Sequence, residues 1–436
     1  MLNRREFIEG VIMPAGAAAM GVTSLRRGRA AADEAVRCLA ESADSPAESA
    51  RDEALWARVG QVFPVDRSVI NLNNGGVSPT IQGVLDAVRH HWADANLLPA
   101  YWLWQVQAPQ RESVRAGLAA EFGADKEELA LTRNASESLE TCQLGLDLQR
   151  GDEALTTTQD YPRMINTFRM LERRRGIVLR QLRIPTPCED AGEIVRRFEQ
   201  HITPRTRMIL ISHMINLTGQ ILPVRELCAL GRARGIPVIV DGAHALAHLV
   251  FAIRDLACDY YASSLHKWLC APHGTGLLYV RRDKIVGLWP LMAAEEKQDT
   301  DIRKFEEIGT HPAAPYLAIG DALAFHQAVG GARKLARMLY LRDYWASRLL
   351  AASDRVRLHT SLRPGCAGGI GTFEVDGLDP LKLADWLWRE HCIFTVAIAH
   401  EEFRGLRITP HLYTSVTDLD RFCDRVEHAI RHGLPA

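Results

Sequence analysis

The 436-residue sequence has no continuous apolar stretch long enough to cross a membrane as a helix. A membrane-spanning helix needs roughly 18 or more consecutive apolar residues. The nearest approach is an Ala- and Gly-rich run from Val11 to Leu25, which is short and only weakly apolar. We therefore expect no membrane span.

The sequence also lacks an excess of charge of either sign. Its 52 Lys and Arg residues nearly balance its 53 Asp and Glu residues, which gives a formal net charge of −1. Proteins that follow a phosphate backbone concentrate unpaired basic charge on one face. We therefore expect no nucleic-acid partner. The length and a hydrophobic content of 47% predict a globular chain with a large core and two domains.

The nine cysteines lack the spacing of a disulfide framework. Several of them, including Cys142, Cys228 and Cys258, lie in apolar runs, so we expect mostly buried thiols. No pair of cysteines and no His/Cys cluster has the spacing of zinc ligands. The sequence therefore predicts no metal site.

The first 32 residues carry the features of an export signal. Asn3-Arg-Arg-Glu-Phe-Ile8 is a twin-arginine motif, and it is followed by the run from Val11 to Leu25 and by the small residues Ala30–Ala32. This pattern resembles a Tat signal, although a poorly ordered N-terminal helix with incidental arginines would look similar. We expect the Tat translocase to export the folded chain, which makes the mature protein periplasmic or secreted. Residues 33–70 are predicted to form a linker and a short N-terminal segment.

Strand and helix patterns alternate from Leu129 to Arg282, which is typical of a mostly parallel sheet covered on both faces. Seven strands are predicted, at 129–133, 153–157, 177–182, 207–213, 237–241, 259–262 and 276–281. A helix at 110–122 precedes them, and a long helical stretch at 316–351 follows. The remaining elements are strands at 369–375, 393–399 and 405–409 and helices at 380–391 and 416–432. We therefore predict an α/β fold with a large seven-stranded domain over 71–315 and a small α+β domain, with its linking helix, over 316–436.

Polar residues gather after the buried strand that ends at Asp241. Ligands in α/β folds bind at the carboxyl ends of such strands. Lys267 follows 26 positions later, between two strands, where core packing gives no reason for a lysine. A lysine amine can form a covalent imine with the aldehyde of pyridoxal phosphate, and an aspartate can keep the pyridine nitrogen of that cofactor protonated. An aspartate at a strand end is more often a helix cap or turn former.

Side chains near Asp241 and Lys267 could hold the rest of this cofactor. Ser264 and His266 flank the lysine and can donate hydrogen bonds to a phosphate dianion. Ala135 and Ser136 begin a helix whose free N–H groups could do the same, although a simple helix cap would look identical. His244 could reach the phenolic oxygen of the cofactor.

Longer motifs around these residues resemble the class V aminotransferase family of fold-type I pyridoxal-phosphate enzymes. VDGAHALAH contains Asp241, and SSLHKWLCAPHGTGLLYV contains Lys267. The similarity extends from about Asn71 to the C-terminus. It is strongest to the isopenicillin-N-epimerase-like branch. Further matching segments are Leu131–Ser138, Ile211–Gly219, Leu406–Tyr413 and the aromatic Tyr101–Trp104.

The resemblance implies further site residues. It predicts that Tyr161 stacks on the cofactor ring, although Tyr161 could equally be a packing residue. Asn216 lies on the strand that matches the cofactor-oxygen strand of the family. Arg407 matches the arginine that binds a substrate carboxylate, with a surface salt bridge as the alternative. Asn74 lies in the loop that borders the active-site entrance in the family. Thr310 matches a residue that contacts the neighbouring subunit's phosphate, which implies a homodimer with shared active sites.

The reaction itself is not encoded in these motifs. Transamination, epimerisation, lyase chemistry, decarboxylation and desulfuration all use the same cofactor groups. Cysteine desulfurases of the family need a mobile cysteine before the C-terminal arginine strand, and the interval 399–404 has none. We expect an enzyme that acts at the α-carbon or amine of an amino acid or aminoacyl natural product, in resemblance to Tat-exported enzymes that tailor pyoverdine-type siderophores. Epimerisation or C–S lyase chemistry on a small peptide and a non-catalytic pyridoxal-phosphate-binding role are the alternatives.

Overall fold

The structure is a computed structural model that describes residues 44–435. The predicted export signal at 1–32 and the first part of the predicted linker lie outside the described residues. No helix within 44–435 combines the length and the hydropathy that a membrane crossing requires.

The strands are numbered β1 to β13 in chain order: Ile70–Asn71, Leu129–Thr132, Glu153–Thr157, Val178–Leu182, Thr206–Ser212, Val238–Asp241, Tyr260–Ser264, Gly276–Val280, Val356–Leu358, Gly371–Val375, Ile393–Phe394, Val396–Ala399 and Arg404–Ile408. The α-helices are numbered α1 to α15: Pro46–Ser49, Glu53–Gly60, Gln82–Ala95, Pro99–Tyr101, Ala108–Glu121, Ala135–Gly145, Pro162–Arg175, Ala191–His201, Val224–Ala233, Ile253–Leu256, Ala314–Leu317, Ile319–Val329, Gly331–Ala352, Pro380–His391 and Val416–His432. A π-helical turn at Trp102–Gln107 precedes α5, and short 3₁₀ turns occupy Lys126–Glu128, Arg282–Lys284, Glu296–Gln298 and Ile302–Glu306.

The large domain contains the predicted seven-stranded sheet, with strand order β2-β8-β7-β6-β5-β3-β4. Strand β8 runs antiparallel to both of its neighbours, and the other pairs in the sheet are parallel. All seven predicted strands are confirmed within two residues at each end. They were predictable because parallel strands are buried on both faces and form nearly continuous apolar runs.

Successive side chains of the central strands point to opposite faces of this sheet, and each face packs against its own apolar core. In β6, Val238 and Val240 point into one core, and Ile239 points into the other. The polar residue that ends the strand, Asp241, therefore emerges at the carboxyl edge between the two cores. Burial of both faces fixes the register of β6 and hence the position of this carboxylate.

The small domain is an antiparallel four-stranded sheet, β12-β13-β10-β9, packed with α13 and α15 around a third apolar core. Helices α14 and α15 begin and end at the predicted residues. The long helical stretch predicted at 316–351 is instead three helices, because Gly330 has a φ of 81° and separates α12 from α13. The prediction also missed β9, a three-residue strand that is too short to show a clear alternation.

The segment before residue 71, predicted as a linker and a short N-terminal segment, is partly inside the fold. Asp52 caps α2 by accepting hydrogen bonds from the N–H groups of Ala54 and Leu55. Helix α2 buries Leu55, Trp56 and Val59 in the core of the large domain. Their spacing places them on one helix face, so this stretch is part of the folded domain.

Candidate active site

A cavity of about 400 Å³ opens at the carboxyl ends of β5, β6 and β7. It collects most of the predicted site residues from separate parts of the chain. Its lining includes Ala135, Ser136, Tyr161, Asn216, Asp241, His244, Ser264, His266 and Lys267, together with Gly76, Asn134, Leu139, Arg163, Ser212, Met214 and Ala243. The cavity is large enough for a small organic cofactor, and its polar lining gives that cofactor several partners.

Lys267 lies in the turn after β7, with its Nζ 3.1 Å from Nε2 of His244. Burial lowers the pKa of Lys267 to about 8, the negative charge of Asp241 opposes that shift, and the positive charge of Arg407 adds to it. A lysine with this pKa has an appreciable neutral fraction near pH 7. The neutral amine is the form that attacks an aldehyde, so Lys267 is suited to a covalent link.

Asp241, the last residue of β6, is buried and accepts a hydrogen bond of 2.9 Å from the N–H of Ala243. Burial raises its pKa to about 6. The next residue has to be glycine, because a Cβ at Gly242 would lie 2.1 Å from the Tyr261 ring. This close approach lets the chain turn immediately after the carboxylate. A buried acid without a cationic hydrogen-bond partner is ready to pair with a protonated ring nitrogen.

His244 is buried, and burial together with the charge of Lys267 holds its pKa well below the usual range. The ring is therefore neutral at pH 7. Its Nδ1 has no hydrogen-bond partner among residues 44–435. Buried polar atoms in proteins are rarely left unpaired, so this nitrogen marks a place for a ligand or water.

The other end of the cavity is built on the N-terminus of α6. Asn134 caps this helix, since its Oδ1 accepts a 2.9 Å hydrogen bond from the N–H of Glu137. The Oγ of Ser264 accepts a 2.9 Å hydrogen bond from the N–H of Ala135, which ties β7 to the helix start. Ser136 and His266 also line this end. A helix N-terminus with neighbouring hydroxyl and imidazole groups favours a phosphate.

These groups fit pyridoxal phosphate. The buried carboxylate of Asp241, the amine of Lys267 and the unpaired Nδ1 of His244 lie in the same cavity as the α6 N-terminus. Among residues 44–435, no group of three or more His, Cys, Asp or Glu side chains could hold a metal ion.

Arg407 on β13 is the predicted carboxylate-binding residue, and it lies beside this cavity. It is only 7% exposed, and it donates hydrogen bonds to the main-chain oxygen of Asn216 at 3.0 Å and to Oδ1 of Asn73 at 2.8 Å. Burial lowers the pKa of Arg407 to about 10. No carboxylate in the described chain pairs with it, and its Nε has no partner there. A buried guanidinium without an anion is a site for one.

The substrate-binding role of Asn74 stays a prediction, and in the structure its side chain makes contacts within the protein. The side-chain amide of Asn74 donates to the main-chain oxygens of Asn71 at 3.0 Å and Thr409 at 2.9 Å. Its Oδ1 accepts from the Tyr413 hydroxyl at 2.5 Å. These bonds use the side chain to hold the loop to the small domain. Its neighbour Asn73 is the asparagine that contacts Arg407.

Thr310 lies outside this cavity. It borders a second cavity of about 300 Å³ together with Trp104, Arg111 and His311. Within one chain it therefore does not join the Lys267 site, and its contact with a partner's phosphate stays a prediction. Tyr161 does line the Lys267 cavity, and its side chain is 41% exposed at the mouth.

Three polar residues in or next to the site were not predicted. Ser212 ends β5, and Arg163 lies in the first turn of α7. Both are polar residues at a strand end or a helix start close to predicted site residues, and this position is the signal that could have identified them. Asp160 is buried directly before Tyr161 and hydrogen-bonds to Ser212. An aspartate before Tyr-Pro resembles an ordinary turn former, so the sequence alone did not indicate a role for Asp160 in the site.

The described cysteines stay away from the cavity. Cys366 is half-buried, Cys392 is exposed, and the other six are buried thiols. The loop that carries a cysteine in desulfurases is occupied here by His400 and Glu402. His400 Nε2 lies 3.0 Å from the main-chain oxygen of Thr158, and Glu402 accepts a 3.0 Å hydrogen bond from Gln159. This loop therefore docks on the strand end beside Tyr161.

Comparison with known proteins agrees with this geometry. The family model "Aminotransferase class-V" matches residues 70–422. Isopenicillin N epimerase of Streptomyces clavuligerus is 31% identical over 389 residues, which cover 85% of this chain and 98% of that protein. Isopenicillin N epimerase of Amycolatopsis lactamdurans is 30% identical over 393 residues, with 85% and 98% coverage.

A solved structure shows the same architecture. The cystine C–S lyase C-DES, in complex with its product cysteine persulfide, is 25% identical with a TM-score of 0.75, covering 84% of this chain and 99% of that one. Three observations agree: the order of the strands in the sheet, the placement of Lys267 and Asp241 in one cavity, and the match to the family model. The chain belongs to the class-V aminotransferase family.

Proposed function

We propose that this chain is a pyridoxal-phosphate-dependent enzyme that acts at the α-carbon or amino group of an amino acid or aminoacyl compound. The observation that carries the proposal is the placement of Lys267 in a cavity with the buried carboxylate of Asp241. Nearby is the guanidinium of Arg407, which has no carboxylate partner among residues 44–435. When bound, pyridoxal phosphate supplies an electron sink for a substrate whose α-bond is broken.

Each residue has a separate task in this proposal. Lys267 would hold the cofactor covalently, and once that link is released its free Nζ would take or return a proton. Neutral His244, 3.1 Å away, orients that amine. Asp241 would keep the ring nitrogen protonated. Ser264 and the N-terminus of α6 would hold the phosphate.

Arg407 binds the substrate carboxylate and so sets the orientation of the α-carbon. Its two terminal nitrogens are already fixed by the Asn216 main chain and by Asn73, so the guanidinium keeps one position. A fixed guanidinium can accept a carboxylate with defined geometry. This favours substrates with a free α-carboxylate over simple amines.

Two reaction classes are favoured by specific observations. Similarity to two isopenicillin N epimerases over nearly their whole length supports epimerisation. The likeness to a cystine C–S lyase supports lyase chemistry. Desulfuration through an enzyme-bound persulfide is disfavoured, because no cysteine lines the cavity within the described chain and the 399–404 loop is occupied by other contacts.

The purified holoprotein incubated with a panel of L- and D-amino acids and small peptides tests this proposal. We expect changes in the visible absorbance of the bound cofactor for carboxylate-bearing amines. Product mass and chirality then separate epimerisation, which conserves mass, from elimination and amino transfer. A pyridoxal-phosphate carrier without catalysis would bind the cofactor and give no product with any member of the panel.

We also propose that the enzyme is exported by the Tat translocase and acts in the periplasm, where siderophore tailoring is one candidate role. Support comes from the twin-arginine motif, and cofactor loading before export gives a physical reason for this route. Replacing Arg4 and Arg5 together by Lys should retain the loaded precursor in the cytoplasm. Normal export of this variant in cell fractionation would contradict the proposal.

A homodimer with shared sites is a further part of the proposal. It is supported by the position of Thr310 outside its own Lys267 cavity. Thr310→Ala should weaken cofactor retention by a few-fold on the scale of one lost hydrogen bond. Mixed dimers of Thr310→Ala and Lys267→Ala chains should retain the cofactor as tightly as the wild type at their one Lys267, since that site takes an intact Thr310 from the other chain. Retention as weak as in the Thr310→Ala homodimer would argue against shared sites.

A further inference from the structure

A second carboxylate is buried behind the cofactor cavity. Asp160 lies between the end of β3 and the start of α7 and is only 1% exposed. It does not line the cavity itself. Burial of an acid without a cation beside it is costly and needs another source of stabilisation.

Five hydrogen bonds supply that stabilisation. Oδ2 of Asp160 accepts from the Thr156 hydroxyl at 2.7 Å and from the N–H and hydroxyl of Thr157, both at 2.8 Å. Oδ1 accepts from the N–H of Ser212 at 2.8 Å and from its hydroxyl at 2.7 Å. Each oxygen thus accepts from one main-chain N–H group, which can only donate. This arrangement stabilises a carboxylate.

Asp160 is linked to the cavity in three ways. It binds Ser212, which lines the cavity and pairs in register with Asp241 on the neighbouring strand. It directly precedes Tyr161 at the cavity mouth. Its negative charge also acts on Asp241, and together with burial it contributes to the raised pKa of that acid.

We propose that Asp160 is a positioning residue that fixes Ser212 and Tyr161 and places a negative charge behind Asp241. This inference rests on the proposed function. A negative charge at this place favours a proton on any base that Asp241 binds, because the two carboxylates together attract it more strongly than one. Asp160 thereby strengthens the protonation of the cofactor ring nitrogen.

The other groups around Asp241 do not supply this charge. Lys267 carries the opposite sign, and neutral His244 follows in the same turn. On the adjoining strands, the pKa of His213 is lowered to about 4 by burial, and burial raises the pKa of Tyr261 well above its usual value. Both rings are therefore neutral at pH 7. Asp160 is the one other acid that acts on Asp241 within the described chain.

Asp160→Asn keeps the side-chain volume and removes the charge. Thr157→Val is the matched control: it removes the hydroxyl that donates to Asp160 and accepts from the N–H of Gln159, and it keeps the charge. In the cofactor-free protein, ¹³C NMR of the carboxyl groups should show that Asp241 titrates at lower pH in Asp160→Asn. Thr157→Val should leave this titration unchanged. This readout does not depend on the proposed activity. Equal shifts in both variants, or no shift in either, would overturn the proposal.

A second readout uses protein reconstituted with ¹⁵N-labelled pyridoxal phosphate. The ring-nitrogen resonance should move toward the unprotonated position in Asp160→Asn and should not move in Thr157→Val. We expect kcat/KM to fall about tenfold in Asp160→Asn, equivalent to about one pKa unit. An unchanged nitrogen resonance with normal binding would contradict the proposal, whereas loss of cofactor binding by the wild type would contradict the proposed function alone.

If Asp160→Asn does not fold, the wild-type titration still tests the charge. The Asp241 carboxyl resonance of the wild type should move near pH 6, above the ordinary range of an aspartate. Movement within that ordinary range would overturn the proposal.

Discussion

Two lysines, the half-buried Lys267 and the buried Lys334, lie close to the same loop, and only one of them is placed for chemistry. Lys267 lines the cofactor cavity, whereas Lys334 on α13 is 2% exposed and donates to the main-chain oxygen of Trp268. Burial lowers the pKa of both amines. A lowered pKa is therefore a consequence of burial and does not by itself identify a catalytic lysine.

The surroundings of the two amines make the difference. Lys267 has a cavity in front of it, a neutral imidazole 3.1 Å away and the carboxylate of Asp241 nearby. Lys334 lies among packed rings, where Trp268 stacks on His411 with centroids 5.7 Å apart and contacts His248 at 4.2 Å. No carboxylate among residues 44–435 pairs with Lys334. Space for a ligand and an acid partner distinguish the reactive lysine from the structural one.

Asp241 is the acid near Lys267 that has no counterpart beside Lys334. Its removal should have the largest effect on activity. Asp241→Ala leaves an unprotonated cofactor ring, which is a poor electron sink. We expect the cofactor to remain bound while kcat falls by about 10²–10³, the scale for loss of a preorganised electrostatic partner. Visible spectra and steady-state kinetics check this. Wild-type kcat in the variant would mean that Asp241 is structural.

Changing the cation beside Lys267 should have a smaller effect that depends on the substrate. Lysine cannot reproduce the planar fork of Arg407, and a charge-assisted hydrogen bond contributes about 1.5–3 kcal/mol. Arg407→Lys should lower kcat/KM by roughly ten- to a hundredfold for amino acids and only slightly for amines without a carboxylate. The matched pair of substrates is the control. Equal losses for both would show that Arg407 shapes the cavity and does not bind a carboxylate.

Replacing Lys334 should have the smallest effect on activity. Met has a similar volume, and a buried charge exchanged for an apolar side chain is often neutral or stabilising. We expect Lys334→Met to keep the cofactor absorbance and to retain kcat/KM within about threefold. Loss of the cofactor in this variant would show that Lys334, like Lys267, is needed for cofactor binding.

The difference in unfolding free energy between the wild type and Lys334→Met should change with pH in a defined direction. Burial lowers the pKa of folded Lys334 below the unfolded value of 10.5, so the folded state binds the proton less tightly than the unfolded state does. The resulting destabilisation is fully present below the folded pKa and disappears as the pH rises toward 10.5. Wild-type stability should therefore rise relative to Lys334→Met across that range in urea unfolding. A constant difference would show that the buried amine does not titrate.

Much of the fold and of the reactive centre was predictable from the sequence. The central strands are continuous apolar runs, and Asp241 and Lys267 stand out because they interrupt a pattern that is otherwise explained by core packing. The burial of helix α2 in the core was not predicted, because its three buried residues Leu55, Trp56 and Val59 lie within an acidic and Ala-rich stretch.

The details that the sequence does not predict depend on contacts between distant segments. Asn73 and Asn74 are neighbours of the same type, and only the positions of Thr409 and Arg407 decide which one contacts the arginine. Asp160 is recognisable only when β3 and β5 lie side by side, since its oxygens join Thr157 and Ser212. Sequence periodicity contains no information on such pairs.

The most direct test of the central claim is to trap the cofactor on the wild-type protein with borohydride and map the modified peptide by mass spectrometry. Borohydride reduces an imine to a stable amine, so the linked lysine keeps the pyridoxyl group. We predict modification of Lys267 alone and none in Lys267→Ala. A pyridoxyl group on Lys334 or another lysine, or no modification of the loaded protein, would contradict the account.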